Sequence, residues 1–122
     1  MKVLLVDDSD ILRNHLITIL SDMENVDIVG ECIDTDSAIM DLKKKKPDLV
    51  ILDIRIPGEG GIHVLKVAKE KFPNLKVIIF TDYPYPQYRT KCMEIGADYF
   101  FDKSTETEKL IDQIKQLAKQ AT

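Results

Sequence analysis

No apolar run in this chain approaches the ~20 residues needed to cross a bilayer, so a helical membrane span is excluded at the outset. The stretch VLLV (3–6) is too brief for the core of a signal peptide, and no small-residue cleavage site follows it. The expected location is therefore cytoplasmic. Cysteine is scarce: Cys32 and Cys92 stand far apart, in no CxxC pair, as reduced thiols of a cytosolic protein would. Histidine is as rare. His15 and His63 each sit alone in a predicted helix, which supports neither a zinc cluster nor a phosphohistidine site. Excess positive charge is missing too. With 17 Lys and Arg against 21 Asp and Glu the net charge is −4, and no recognition-helix motif is present, so direct nucleic-acid binding is not expected. Gly58, Gly60 and Gly61 are followed by no GK[ST] and form no P-loop; Gly58 and Gly61 read as turn residues after Pro57. There is no internal repeat, linker or low-complexity tract. The one charge run, KKKK (43–46), reads as the exposed end of a helix, where cations complement the helix dipole.

What is present is 122 residues, 44% hydrophobic and 31% charged, the size of a single domain over 1–122 with one core. The apolar pattern switches repeatedly between short runs and helical spacing. KVLLV (2–6), VDIVGEC (26–32), DLVILD (48–53), KVIIFT (76–81) and DYFF (98–101) read as strands. DLVILD, apolar on both faces, is expected at the centre of a sheet. Between the strands, Ile11, Leu12, His15, Leu16, Ile19 and Leu20 recur at helical spacing behind Ser9 as N-cap. Asp34 or Asp36 caps a second helix that must stop by Pro47. A third helix carries Ile62, Leu65, Ala68 and Phe72. A fourth covers about 86–95 and ends at Gly96, and a last one runs roughly from 105 to 120. Strands alternating with helices predict a five-stranded parallel α/β sheet, doubly wound with helices on both faces.

In such sheets the ligand site lies outside the carboxyl ends of the strands. Those ends carry Asp7 and Asp8, Asp53, Thr81 and, just past the fifth strand, Lys103. Two carboxylates ~5 Å apart repel by about 3 kcal/mol at an effective dielectric near 20. A hard dication with oxygen ligands offsets that repulsion, and Mg²⁺ (or Mn²⁺) suits the set because it also bridges to phosphate. Thr81 is placed to hydrogen-bond a phosphoryl oxygen and Lys103 to pair with another, which makes Asp53 a candidate carboxylate nucleophile.

Taken together, VLLVDDSD (3–10), LVILDIRIPGEGG (49–61), VIIFTD (77–82) and GADYFFDKS (96–104) resemble the response-regulator receiver domain of two-component signalling over nearly the whole chain. The resemblance implies a flavodoxin-like (βα)5 fold. It also implies a non-enzymatic switch phosphorylated on Asp53 by a histidine kinase or a histidine phosphotransfer protein. Asp8 and Asp53 would ligate Mg²⁺ with the backbone carbonyl of Arg55, and Asp7 would act mainly through water. Thr81 and the aromatic Phe100 would form the switch that alters the face of the fourth helix, fifth strand and fifth helix. The partner would be a downstream protein or an output domain that this chain does not carry, and phosphorylation could drive homodimerisation.

Asp82 departs from the family, which favours a small residue after the threonine. A carboxylate ~6 Å from a phosphoryl charge costs about 2–3 kcal/mol per unit charge at the same dielectric, so either Asp82 points outward, or Arg55 or Lys103 compensates, or the site phosphorylates poorly. Pro84 and Pro86 should delay the fourth helix, and Ser104 stands where many receivers have proline. Two other readings use the same residues. A pseudo-receiver that docks partners without phosphate rests on Asp82 alone. A haloacid-dehalogenase-like phosphatase would need DxDx[TV], but after Asp8-Ser9-Asp10 it is Leu12 that stands where Thr or Val is required.

Overall fold

In the computed structural model, which describes residues 1–121, strands and helices alternate along the whole chain. The strands are β1 (Lys2–Val6), β2 (Asp27–Cys32), β3 (Leu49–Leu52), β4 (Lys76–Thr81) and β5 (Tyr99–Asp102). The helices are α1 (Asp10–Ser21), α2 (Thr35–Lys45), α3 (Gly61–Lys71), α4 (Pro86–Ile95) and α5 (Thr107–Gln120). All strand pairs are parallel, in the order β2-β1-β3-β4-β5. The strand order reverses direction at β1 and β3. Their carboxyl ends therefore diverge into loops on opposite faces and leave a crevice between them.

Alternation along each central strand feeds two cores. Val3, Leu5, Leu49, Ile51, Ile78 and Phe80 point to the face covered by α1 and α5. Leu4, Val6, Val50, Leu52, Val77 and Ile79 point to the face covered by α2, α3 and α4. All four residues of β3 are buried, as befits the middle strand.

Local signals set the boundaries. Ser9 caps α1 by accepting from the Leu12 amide at 3.3 Å, and Asp34, not Asp36, caps α2 through the Ser37 amide at 2.9 Å. Pro86 occupies the first turn of α4. At the far end of α4, Gly96 adopts φ 124°.

Several details differ from the pattern: β2 begins at Asp27 rather than at 26, and β3 spans Leu49–Leu52 rather than 48–53. The fifth strand begins at Tyr99, one residue late. Just before it the Asp98 amide donates to Val77 O, and the Asp98 carboxylate accepts from the Val77 amide and the Lys69 ammonium, all at 2.9 Å. The last helix begins at Thr107 because Asp102 and Glu106 first close a turn through Glu106 N–H to Asp102 O at 2.8 Å. In α1, Ile11 is 85% exposed and His15 is also exposed, whereas Arg13 is buried.

Candidate functional site

The carboxyl edge of the sheet collects the predicted groups. The Asp7 amide donates to Cys32 O at 3.0 Å and the Asp53 amide to Val6 O at 2.9 Å. These bonds extend the ladder one residue past each strand and fix where both side chains leave. Oxygens of Asp7, Asp8 and Asp53 lie within 4.8 Å of one another. Asp7 and Asp53 are buried, and Asp8 opens to solvent. Lys103 reaches across from the loop after β5. Its ammonium lies 2.5 Å from Asp7 Oδ2 and 3.0 Å from Asp53 Oδ2. The Lys103 amide donates to Thr81 O at 2.9 Å, so the loop that carries the ammonium is sewn to the end of β4.

Three carboxylates and one ammonium leave two negative charges uncompensated, the amount a divalent cation neutralises. Oxygen donors, one solvent-open edge and a buried Asp53 Oδ1 with no hydrogen-bond partner fit Mg²⁺. Burial pushes the Asp53 carboxyl above its ordinary range. The Lys103 ammonium and the Thr81 hydroxyl act against that rise, and the Asp7 charge adds to it. Burial opposes the charge on Lys103, yet hydrogen bonds to Asp7 and Asp53 and their charges outweigh it, and the net shift is upward. Thr81 is fully buried at the end of β4, and its Oγ1 accepts from the Tyr83 amide at 3.1 Å.

The remaining predicted residues surround this centre. Arg55 follows β3 with its side chain exposed, its guanidinium 4.2 Å from the centroid of the Tyr83 ring. Phe100 is inward and 3% exposed, with the Arg89 guanidinium 5.4 Å from its ring centroid. Asp82 is exposed. Gly61 is required for a steric reason: a Cβ there would lie 2.0 Å from Asp53 O. Its amide donates to Ile54 O at 2.8 Å, which folds the loop back beside Asp53.

Two structural supports were not found from the sequence. Arg13 donates to Asp7 O at 2.6 Å and Glu31 Oε1 at 3.2 Å, and its other nitrogen pairs with Asp10. It thereby clamps the loop that presents Asp7 and Asp8. A signal existed in the acid–arginine spacing of Asp10 and Arg13, but that pattern usually marks a solvated face. Thr35 is 1% exposed. Its hydroxyl donates to Pro57 O at 3.1 Å and accepts from the Gly60 amide at 2.9 Å, bracing the loop between β3 and α3.

A parallel five-stranded sheet with an acidic triad, a hydroxyl and a lysine at its carboxyl edge defines a receiver-type signalling domain. The sequence matches the response regulator receiver domain family over residues 3–115, and the chain belongs to that family of two-component systems. Among curated relatives, the response regulator GacA of Pseudomonas aeruginosa is 29% identical over 117 residues, covering 96% of this chain and 55% of the relative. The sensory transduction protein LytT of Bacillus anthracis is 32% identical over 120 residues, covering 98% of this chain and 48% of the relative. The chain thus spans about half the length of these relatives. Among solved structures, the response regulator domain of Thermotoga maritima CheB superposes with TM-score 0.85 at 26% identity, covering 99% of this chain and 95% of that one. A chain of the CheX–CheY–BeF3–Mg complex from Borrelia burgdorferi superposes with TM-score 0.87 at 28% identity, covering 96% and 88%. Among the described residues no helix is long and apolar enough to cross a membrane.

Proposed function

We propose that Asp53 accepts a phosphoryl group from the phosphohistidine of a partner histidine kinase or histidine phosphotransfer protein. The N–P bond of the donor breaks as an O–P bond to Asp53 forms, and the imidazole leaves. The observation that carries this reading is the Asp53 carboxylate itself. One oxygen is held by Lys103, and the other is buried and free of any hydrogen-bond partner inside an acidic triad. A group in that setting gains from acquiring a ligand.

Asp7, Asp8, Asp53 and the backbone carbonyl of Arg55 would hold Mg²⁺ (or Mn²⁺). The ion, when bound, supplies charge neutralisation between the carboxylates and the transferring group. Lys103 keeps Asp53 ionised and oriented, then pairs with a phosphoryl oxygen once the carboxylate is esterified. The Thr81 hydroxyl leaves the Tyr83 amide and donates to a second phosphoryl oxygen. That movement empties space beside Phe100 and re-sets the face of α4, β5 and α5, a two-state element biased by a local charge. The reader of that face is a downstream protein or an output domain, and a phosphorylation-dependent homodimer is the form in which two such faces meet. The domain acts as a cytoplasmic switch and not as a turnover enzyme. The exposure of Asp82 favours an outward carboxylate, and with it phosphorylation over a phosphate-independent docking module.

The test is intact-mass measurement after incubation with Mg²⁺ and acetyl phosphate, beside Asp53→Asn. One added phosphoryl group, absent in the variant and with EDTA, is the expected result. No adduct, together with no NMR response to beryllofluoride, would overturn the proposal.

A further inference from the structure

Helix α4 is the one least anchored to the sheet. Among the described residues it buries Cys92 alone, whereas α1, α2, α3 and α5 each bury three residues or more. Tyr85 at its N-cap makes no side-chain cap hydrogen bond, and Pro86 has no amide to donate. Tyr88 and Ile95 pack against the core only in part. A helix held by so few apolar contacts shifts at small cost.

One further contact ties it down. Phe100 pairs with Ile79 and Asp102 with Thr81 across β4 and β5, so Phe100 lies on the Thr81 face of the sheet, one step back along the strands. Its ring is 3% exposed and belongs to the core that includes Cys92. Arg89 stands three residues before Cys92, on the same side of α4. Its exposed side chain brings the guanidinium 5.4 Å from the Phe100 ring centroid, within reach of the ring's negative face. Arg89 is also felt by the start of α5. Glu106 accepts from the Asp102 amide at 3.0 Å, and that bond, the Lys109 ammonium and the Arg89 charge hold its carboxyl below the ordinary range against burial. One side chain of α4 thus acts on both β5 and the turn that opens α5.

Resting on the switch reading above, we propose that Arg89 is a positioning residue: its guanidinium, laid over the Phe100 ring, latches α4 to β5 and holds the ring inward on the Thr81 face. A ring already inward fills the space that Thr81 leaves when it turns to a phosphoryl oxygen. The latch therefore favours the phosphoryl-bound arrangement before any phosphoryl group arrives. A neutral side chain of similar length leaves α4 free to lift and the ring free to turn outward. Lysine replaces arginine only in part, because the planar guanidinium stacks on a ring and is less tightly hydrated than an ammonium.

The test follows the Phe100 ring by NMR in protein carrying ring-¹³C phenylalanine. Its signal is picked out from those of the four phenylalanines by Phe100→Leu. In the metal-free wild type a soluble nitroxide should leave that signal sharp. In Arg89→Met the signal should shift and broaden with the nitroxide, while that of Phe80, 1% exposed, stays as it was. Arg89→Lys should restore part of the protection. Affinity for beryllofluoride with Mg²⁺ should fall about threefold in Arg89→Met, the weight of one exposed cation–π contact, and less in Arg89→Lys. Arg89 is exposed, so circular dichroism should show all variants folded. A Phe100 ring equally protected in wild type and Arg89→Met would overturn the proposal. So would a released ring with unchanged beryllofluoride affinity, or lysine serving no better than methionine. Beryllofluoride without effect on any form, wild type included, would count against Asp53 as the phosphoacceptor, and the nitroxide result on the free protein would still decide the latch.

Discussion

At the scale of single residues, the buried charges make the sharpest demands. Asp53 has a raised folded-state pKa, so the folded chain holds that proton more tightly than the unfolded chain does. Its contribution to stability grows as pH falls through the folded-state value towards the unfolded value near 3.9. At neutral pH the buried charge is a burden, and Asp53→Asn should raise Tm by a few degrees. That advantage should shrink as pH falls through the acid range, which thermal melts at several pH values will read. Lys103→Met does the opposite. It strips the ammonium from two buried carboxylates and should destabilise by about 3 kcal/mol in urea unfolding, with Mg²⁺ restoring part of the loss. Arg13→Met leaves Asp7 and Asp8 in place but frees the loop that aims them. We expect Mg²⁺ affinity to fall about tenfold, measured by NMR titration of the metal alone. Asp82 is exposed and therefore screened, so Asp82→Ala should lengthen the phosphorylated lifetime by no more than about twofold.

At the scale of elements, the strand ends were legible and the braces were not. Asp7, Asp8, Asp53, Thr81 and Lys103 could be read because each stands at or within two residues of the end of an apolar run, and parallel pairing brings such ends together. The caps at Ser9 and the stop at Gly96 were readable for the same local reason. Arg13 was not, because an arginine within an amphipathic helix reads as solvent-facing until its partner is known. That partner is the Asp7 carbonyl, an atom every residue has. Thr35 hides likewise, since its partners Pro57 and Gly60 are distant in sequence. At the start of β5, Asp98 bonds the neighbouring strand twice, its amide donating to Val77 O and its carboxylate accepting from the Val77 amide, a side-chain contact that the sequence does not announce. Thr35→Val should cost about 1–2 kcal/mol, because Pro57 O and the Gly60 amide lose the hydroxyl.

At the scale of the whole molecule, three carboxylates from two neighbouring strands gather at one edge of the sheet, so a single ionic event there bears on the whole fold. Mg²⁺ at ten times its Kd should stabilise the wild type by about 1.4 kcal/mol. Asp8→Asn should remove that gain without unfolding the protein, since Asp8 is exposed and needed by no core contact.

The Tyr83 ring stacked under Arg55 also gives the domain an optical consequence. The chain has no tryptophan and four tyrosines, and Tyr83, Tyr85 and Tyr88 all lie in one short stretch. Tyr85 and Tyr88 sit with ring centroids 6.0 Å apart, next to the segment that follows Thr81. Three of the four tyrosines therefore lie within seven residues of Thr81. Tyrosine emission and near-ultraviolet dichroism thus become a built-in reporter of whatever happens at Asp53, with no dye attached.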